Sequence, residues 1–300
     1  MQRVFTIAAL VSLLVTPARS EPCQLHQAAA IDMDIEGSGR LVVPMAISGQ
    51  PVKLLVDTGG YASMLTDSTV DRLGLQREPI RAGIVRMFGG ERIMKSVTAH
   101  EILLGGLRAT TLNFLVLPDH DISPDTNGSL APDILRGYDV DFDFANAKLN
   151  LFAPTTCSGN LVYWTDAPSA EVPFSIDDSG HIRFDVTLDG ATFDATLDTG
   201  ASDSVLDLEA ARHAFHLEDG NPALKNMGEG RYGTSYSYPF RALTFGGIAV
   251  NNPNLRLLSR SDTHLGGSTR LLLGIDIIRH LHMYVAYRQK RLVVTAASAH

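Results

Sequence analysis

The sequence has no stripe of basic residues, no apolar run of bilayer length and only two cysteines. Each shortage narrows what the chain can do. Lysine and arginine total 25 against 33 acids, a formal net charge of −8, and the basic residues are scattered. The clustered positive charge that draws proteins to nucleic acid or to an anionic membrane is therefore missing. The apolar run from Val4 to Val15 is shorter than the roughly 20 residues a membrane helix needs. It follows Arg3 and ends in the small residues Ala18 and Ser20, so residues 1–20 read as a secretory signal peptide cut before Glu21. Loss of Arg3 and Arg19 with it takes the net charge from −8 to −10. The expectation is an exported protein, periplasmic or secreted, with no membrane span in the mature chain. Cys23 and Cys157 are the two cysteines. In an oxidising compartment they are candidates for one disulfide, worth about 4–5 kcal/mol in the chain-entropy model for so long a loop.

What the sequence does have, it has twice. "LLVDTGGYASML" (Leu54–Leu65) returns as "TLDTGASDSVL" (Thr196–Leu206), with Asp57 and Asp198 separated by 141 positions. The same offset carries Gly49 onto Gly190, Ser63 onto Ser204 and "LLGGL" (Leu103–Leu107) onto "TFGGI" (Thr244–Ile248). Towards the end of each half the offset slips by two, laying Leu130–Phe152 over Leu273–Thr295. A duplicated unit accounts for all of these matches. Within each unit the pattern is mostly strand. Paired runs turn at Ser48-Gly49-Gln50 and at Asp189-Gly190, as hairpins do. A short helical stretch follows each Asp-Thr-Gly, over 66–75 and 207–217, and glycine-punctuated hairpins follow at "VRMFGGERIM" and "GEGRYGTSYSY". The expected fold is all-β, or β-dominated, with two similar lobes at residues 21–155 and 171–300 and a join over 156–170.

A carboxylate at the end of an apolar strand is costly unless it is paired or hydrogen-bonded. Glycines beside it let the backbone turn tightly and let another segment approach. One such turn has a plain explanation as an Asx turn. Two in equivalent places of a repeat have another: pseudo-twofold symmetry sets the two aspartates face to face. Carboxyls about 3 Å apart cannot both ionise and share one proton. One then serves as base for a water molecule while the other protonates a carbonyl oxygen, chemistry that adds water to an amide without a metal or a covalent intermediate.

"LLVDTGG" and "ATLDTGA", each after a glycine-turn hairpin, together with "LLG" (Leu272–Gly274), resemble the retropepsin-like and pepsin-like aspartic peptidases over about Leu41 to Val294. The resemblance implies a bilobal acid-protease fold of two retropepsin-like β-barrel lobes, an Asp57/Asp198 catalytic dyad, and no cofactor. It implies that Thr58 and Thr199 cross-link the two turns, and that Gly59 and Gly200 offer N–H groups to the carboxyls. Candidate flap residues are Phe88, Gly89 and Gly90 in the first half and Arg231 and Tyr232 in the second. Flaps in both halves make the chain more like a fused retropepsin dimer, active as a monomer on a peptide or protein substrate. Two departures stand out. Ala131-Pro132 replaces the glycine expected after the apolar pair in the first half, and Gly60 and Ala201 lack the hydroxyl that often donates to the dyad. Fewer such bonds predict raised carboxyl pKa values and a weakly acidic to neutral optimum. The first departure also motivates an alternative, a non-catalytic peptide-binding or scaffolding module on the same fold.

Three further signals carry less. His280 and His282 sit two apart without an evident third metal ligand, so no metal site is expected. Asp139, Asp141 and Asp143 alternate and read as the wet face of a strand. Trp164, in the join, is a candidate cover for the lobe interface.

Overall fold

Strands Leu41–Ile47 and Gln50–Val56 are joined by Ser48 and Gly49, both at positive φ (48° and 74°). That is the two-residue turn whose twist matches paired strands, and the sequence supplies it again at Asp189 and Gly190 (45° and 91°). Alternate residues of Leu41–Ile47 and Gln50–Val56 point inward and form the start of a core. The computed structural model describes residues 24–80, 85–218, 220–263 and 268–298. Cys23 and the candidate signal segment lie outside them, and so, therefore, does the expected disulfide.

In the first lobe six strands close on themselves. Leu41–Ile47 pairs with Gln50–Val56, which runs parallel to Gly128–Leu130; this pairs with Met64–Thr66, then Leu107–Leu117, then Lys95–Leu104, which returns to Leu41–Ile47. The second lobe repeats the plan with Ile182–Leu188, Ala191–Leu197, Leu271–Leu273 and Val205–Asp207. Its counterpart of the long strand Leu107–Leu117 is broken in two, Ile248–Asn251 and Arg256–Leu258. Asn252 sits at positive φ (48°) there and Pro253 has no N–H to give to a ladder, so the break is local chemistry. The slip in the repeat also has a place. Residues 118–127 connect equivalent strands in the first lobe and residues 259–270 do so in the second, two residues more.

The lobes are joined by a six-stranded sheet to which each contributes three strands. Its order is Gln27–Asp32, Lys148–Phe152, Asp139–Asp143, Leu281–Ala286, Arg291–Ala296, Ala170–Pro173. At its centre Val140 faces Val285 and Phe142 faces Met283, and one apolar core runs continuously from lobe to lobe beneath it. A pairing that crosses the pseudo-twofold axis explains why two equal units stay in register.

The sequence reading of Asp139, Asp141 and Asp143 as a wet face is overturned: the three are 0%, 0% and 9% exposed. Alternation puts them on one side of the strand as expected, but residues 153–169, without strand or helix, strap over that side. Leu161 is buried by the strap, Tyr163 donates its hydroxyl to Asp141 Oδ2 at 2.7 Å, and Trp164 stacks on His282 at 4.1 Å and 5°. Trp164 Nε1 donates to Thr295 Oγ1 at 3.0 Å, so the tryptophan does cover the join between lobes. His282 Nε2 lies 2.6 Å from Asp141 Oδ1, a pair reaching from one lobe to the other. Burial beside these carboxylates pushes the hydroxyls of Tyr163 and Tyr284 far above their ordinary range, which leaves both as hydrogen-bond donors.

Removing an acceptor from a buried hydrogen-bonded network leaves its partners unsatisfied, at about 1–3 kcal/mol. Asp141→Ala should therefore cost about that much in urea unfolding, whereas Asp34→Ala, whose partner Lys53 is in solvent, should cost less than about 1 kcal/mol.

Candidate active site

Each Asp-Thr-Gly begins where an apolar strand ends. Asp57 N–H donates to Leu130 O at 2.9 Å and Asp198 N–H to Leu273 O at 3.0 Å, so a parallel neighbour fixes each turn. The two threonines, both fully buried, tie the turns together across the axis. Thr58 N–H donates to Thr199 Oγ1 (3.1 Å) and Thr199 N–H to Thr58 Oγ1 (3.0 Å). Each hydroxyl passes its own proton to the opposite lobe, Thr58 to Leu197 O (2.8 Å) and Thr199 to Val56 O (2.7 Å). Four hydrogen bonds in a dry site fix the separation of the aspartates that precede them.

The glycines are required by what faces them. A Cβ on Gly59 would overlap the carboxyl carbon of Asp198, and one on Gly200 would lie 2.5 Å from Asp57 Oδ1. Each glycine thus leaves room for the other lobe's carboxyl while donating its N–H to its own, Gly59 to Asp57 Oδ1 (3.1 Å) and Gly200 to Asp198 Oδ1 (2.8 Å). Ala201 N–H adds a third bond, to Asp198 Oδ1 at 3.0 Å. Burial raises both carboxyls. Asp57 is pushed the further, by burial, then by the negative charge of Asp198 and the hydrogen bond between them. Asp198 is held back by the N–H groups of Gly200 and Ala201, by the bond from Asp57 and by charge at His181. Set this close, the two carboxyls share one proton between them. Burial, more than the missing hydroxyls, is the main cause of the rise.

The two sequence departures answer each other. Ala131 occupies the place of Gly274, and Gly60 the place of Ala201, so the small and the large residue are exchanged between lobes. A Cβ on Gly60 would sit 3.2 Å from Ala131 Cβ and 2.8 Å from Asp57 Oδ2; a Cβ on Gly274 would sit 2.7 Å from the backbone of Asp203 and 3.0 Å from Ala201 O. Behind both sites the support is the same, though nothing in the motif announced it. Ser63 Oγ accepts from Ala131 N–H (2.9 Å) and donates to Asp133 (2.7 Å); Ser204 Oγ accepts from Gly274 N–H (2.9 Å) and donates to Asp276 (2.7 Å). Two bonds differ, the first being that Ala201 N–H donates to Asp198 Oδ1 (3.0 Å) where Gly60 N–H donates to the backbone oxygen of Asp57 (3.3 Å). Ile275 N–H donates to Ala201 O at 2.9 Å, and Pro132 has no N–H to match it.

Above the dyad the two hairpins meet. The first (Val85–Arg86 with Arg92–Ile93) carries Phe88, Gly89 and Gly90 at its tip, and the second (Lys225–Gly230 with Gly233–Ser237) carries Arg231 and Tyr232. The rings of Phe88 and Tyr232 pack edge to face at 4.8 Å. A Cβ on Gly89 would lie 2.6 Å from that tyrosine ring. Each tip is also held by the opposite lobe: Gly89 N–H donates to Thr263 O (2.9 Å), and Arg231 Nη1 donates to His120 O (3.2 Å). The cleft enclosed between tips and dyad has a volume of about 690 Å³. Tyr61, Met87, Phe88, Tyr232 and Leu272 contribute to its apolar lining. All the candidate residues of the sequence analysis except the cysteines therefore border this one cleft or the turns at its floor.

The chain belongs to the aspartyl protease family, whose model matches residues 43–139 and again residues 184–277. A search of curated proteins finds no match. Among the described residues no helix is long and apolar enough to cross a membrane.

Two outcomes follow from this geometry. Gly60→Ala overpacks the first turn and should cost about 1–3 kcal/mol, and adding Ala131→Gly should recover about half. A thermal-unfolding double-mutant cycle reads this coupling, which is absent if the two sites are independent. Secondly, between the ordinary carboxyl range near pH 4 and the raised value of Asp57, the folded chain binds more protons than the unfolded one. Stability therefore falls as pH rises through that window. Urea midpoints at about pH 4 and pH 7 should fall more for the wild type than for Asp57→Asn.

Proposed function

We propose that this protein is an exported aspartic endopeptidase, cut before Glu21 and working in the periplasm or outside the cell. The observation that carries the reading is the pair of buried carboxyls set against each other on the floor of a cleft that both flaps roof. In this reading a peptide lies extended between floor and flaps, adding backbone hydrogen bonds to the hairpins as a strand would. A water molecule between the carboxyls gives a proton to Asp198 as its oxygen attacks the scissile carbonyl carbon. Asp57 gives its proton to the carbonyl oxygen. The resulting neutral gem-diol collapses when one hydroxyl proton returns to a carboxylate and the other carboxyl protonates the leaving nitrogen, which breaks the C–N bond and restores one shared proton. Enclosure under the flaps strengthens each of these electrostatic steps by excluding bulk water.

Both halves of the dyad reside in one chain, which supports action as a monomer. The binding-module alternative rested on Ala131-Pro132, and the pairing of Ala131 with Gly60 removes that motive. A cleaved peptide library decides the matter. Residues 21–300 should cut peptides, and Asp57→Asn and Asp198→Asn should each lower kcat/KM by about 10³-fold or more. In this reading the raised carboxyls favour an optimum at weakly acidic to neutral pH, with activity lost on the alkaline side when the shared proton leaves. Full activity in either mutant, or an optimum near pH 2–3, would sink the proposal.

A further inference from the structure

The apolar walls on either side of the dyad correspond in sequence and are covered in different ways. In the first lobe the wall is Met64 and Leu117. The offset of 141 carries these onto Val205 and Leu258 of the second lobe, where Leu272 completes the wall. All five border the cleft. The first wall is covered from within its own lobe, by Val85 and Met87 of its flap and by Ile122. The second is covered by Tyr232 of its own flap and by Phe88, which reaches over from the flap of the first lobe. Tyr232 does not cross in return. Both aromatic rings of the roof therefore rest on one wall.

The seat of Phe88 is fixed by three contacts. Its ring meets that of Tyr232 edge to face at 4.8 Å, an arrangement aromatic pairs prefer. Gly89 permits the approach, because its φ of 83° suits glycine and a Cβ there would stand 2.6 Å from the Tyr232 ring. Gly89 N–H then donates to Thr263 O of the second lobe at 2.9 Å, so the tip is held across the axis by backbone as well as by ring. With the tip in this position Val205, Leu258 and Leu272 are only 6%, 3% and 6% exposed. The wall has almost no surface left for a ligand.

We infer that Phe88 is a specificity-determining residue that holds, in the free protein, the place of a substrate side chain on the second lobe's wall. The inference rests on the peptidase reading and deepens it. A peptide side chain aimed at that wall must displace the Phe88 ring, and the apolar surface it buries is offset by the surface that Phe88 gives up. A large aromatic side chain therefore gains little there over a small one. The wild type is thus nearly indifferent, at one position of the peptide, to a difference in size that a vacated wall would read.

The test uses one set of labelled peptides carrying Phe or Ala at each position in turn. At one position Phe88→Ala should raise the Phe-over-Ala ratio of kcat/KM by about tenfold, the lower end of what burying such a side chain is worth. At the other positions the ratio should stay within about twofold of wild type. Phe88→Leu keeps an apolar group on the wall and should give a smaller rise at the same position, which reads the inference even where the alanine form does not fold. A flap that is merely loosened changes kcat/KM for all peptides together and leaves every ratio in place. Ratios unchanged in both variants, or raised alike at every position, overturn the inference and leave the dyad untouched. Fluorescence polarisation of the same peptides on the Asp57→Asn form, with and without Phe88→Ala, repeats the comparison without turnover. A position-specific rise in binding with no cleavage by the parent would retain Phe88 and lose the peptidase reading, and peptides that neither bind nor are cut overturn both.

Discussion

A carboxyl group forced to the dry end of a strand must be compensated, and here two are set against each other, each served by N–H groups of its own turn. That single contact governs the design around it. Glycine stands at positions 59 and 200 because the opposing carboxyl occupies the space a side chain would take. The threonines between them turn inward and lock across the axis, so that the distance on which proton sharing depends is set by backbone atoms of both lobes. The serines behind, through Asp133 and Asp276, hold the next loop against each turn. Further out, the six-stranded sheet keeps the lobes in register, which the dyad requires and neither lobe could supply alone.

The fold and the floor of the site were legible in the sequence to the extent that they are written locally and written twice. The glycine hairpins at Ser48-Gly49 and Asp189-Gly190, the paired Asp-Thr-Gly turns and the two flap tips each combine a residue type with a local conformation, and the constant offset tied them together. What stayed hidden depends on contacts through space. Alternation placed Asp139, Asp141 and Asp143 on one side of their strand correctly, but no local pattern says that a strap bearing Tyr163 and Trp164 will cover that side. Ala131 read as a defect because its partner, Gly60, is seventy-one residues away and was weighed as a separate anomaly. The clue available was that both fell in the same lobe.

The two copies have diverged in ways that a common backbone tolerates. The second lobe's long strand is interrupted at Asn252-Pro253, and its connection near the flap is two residues longer. Its flap joins the lobe's main sheet through Tyr236 and Leu257, whereas the first flap is a separate two-stranded hairpin. The supports of the dyad, by contrast, correspond closely, differing where Pro132 lacks a proton to give and where Ala201 N–H donates to Asp198 Oδ1. Divergence is widest in the walls and roof of the cleft, where it changes what is recognised, and on the floor it is confined to Gly60 against Ala201 and Ala131-Pro132 against Gly274-Ile275.

The flap tips show what such divergence does. Phe88 meets Tyr232, and a backbone N–H at one tip is answered by an arginine side chain at the other. A peptide has a head and a tail, and a cleft of strict twofold symmetry offers both orientations the same fit. With unlike residues facing each other across the roof, the two ways of threading a chain are no longer equivalent. The cleft has acquired a direction, which no assembly of two identical halves possesses before its ligand arrives.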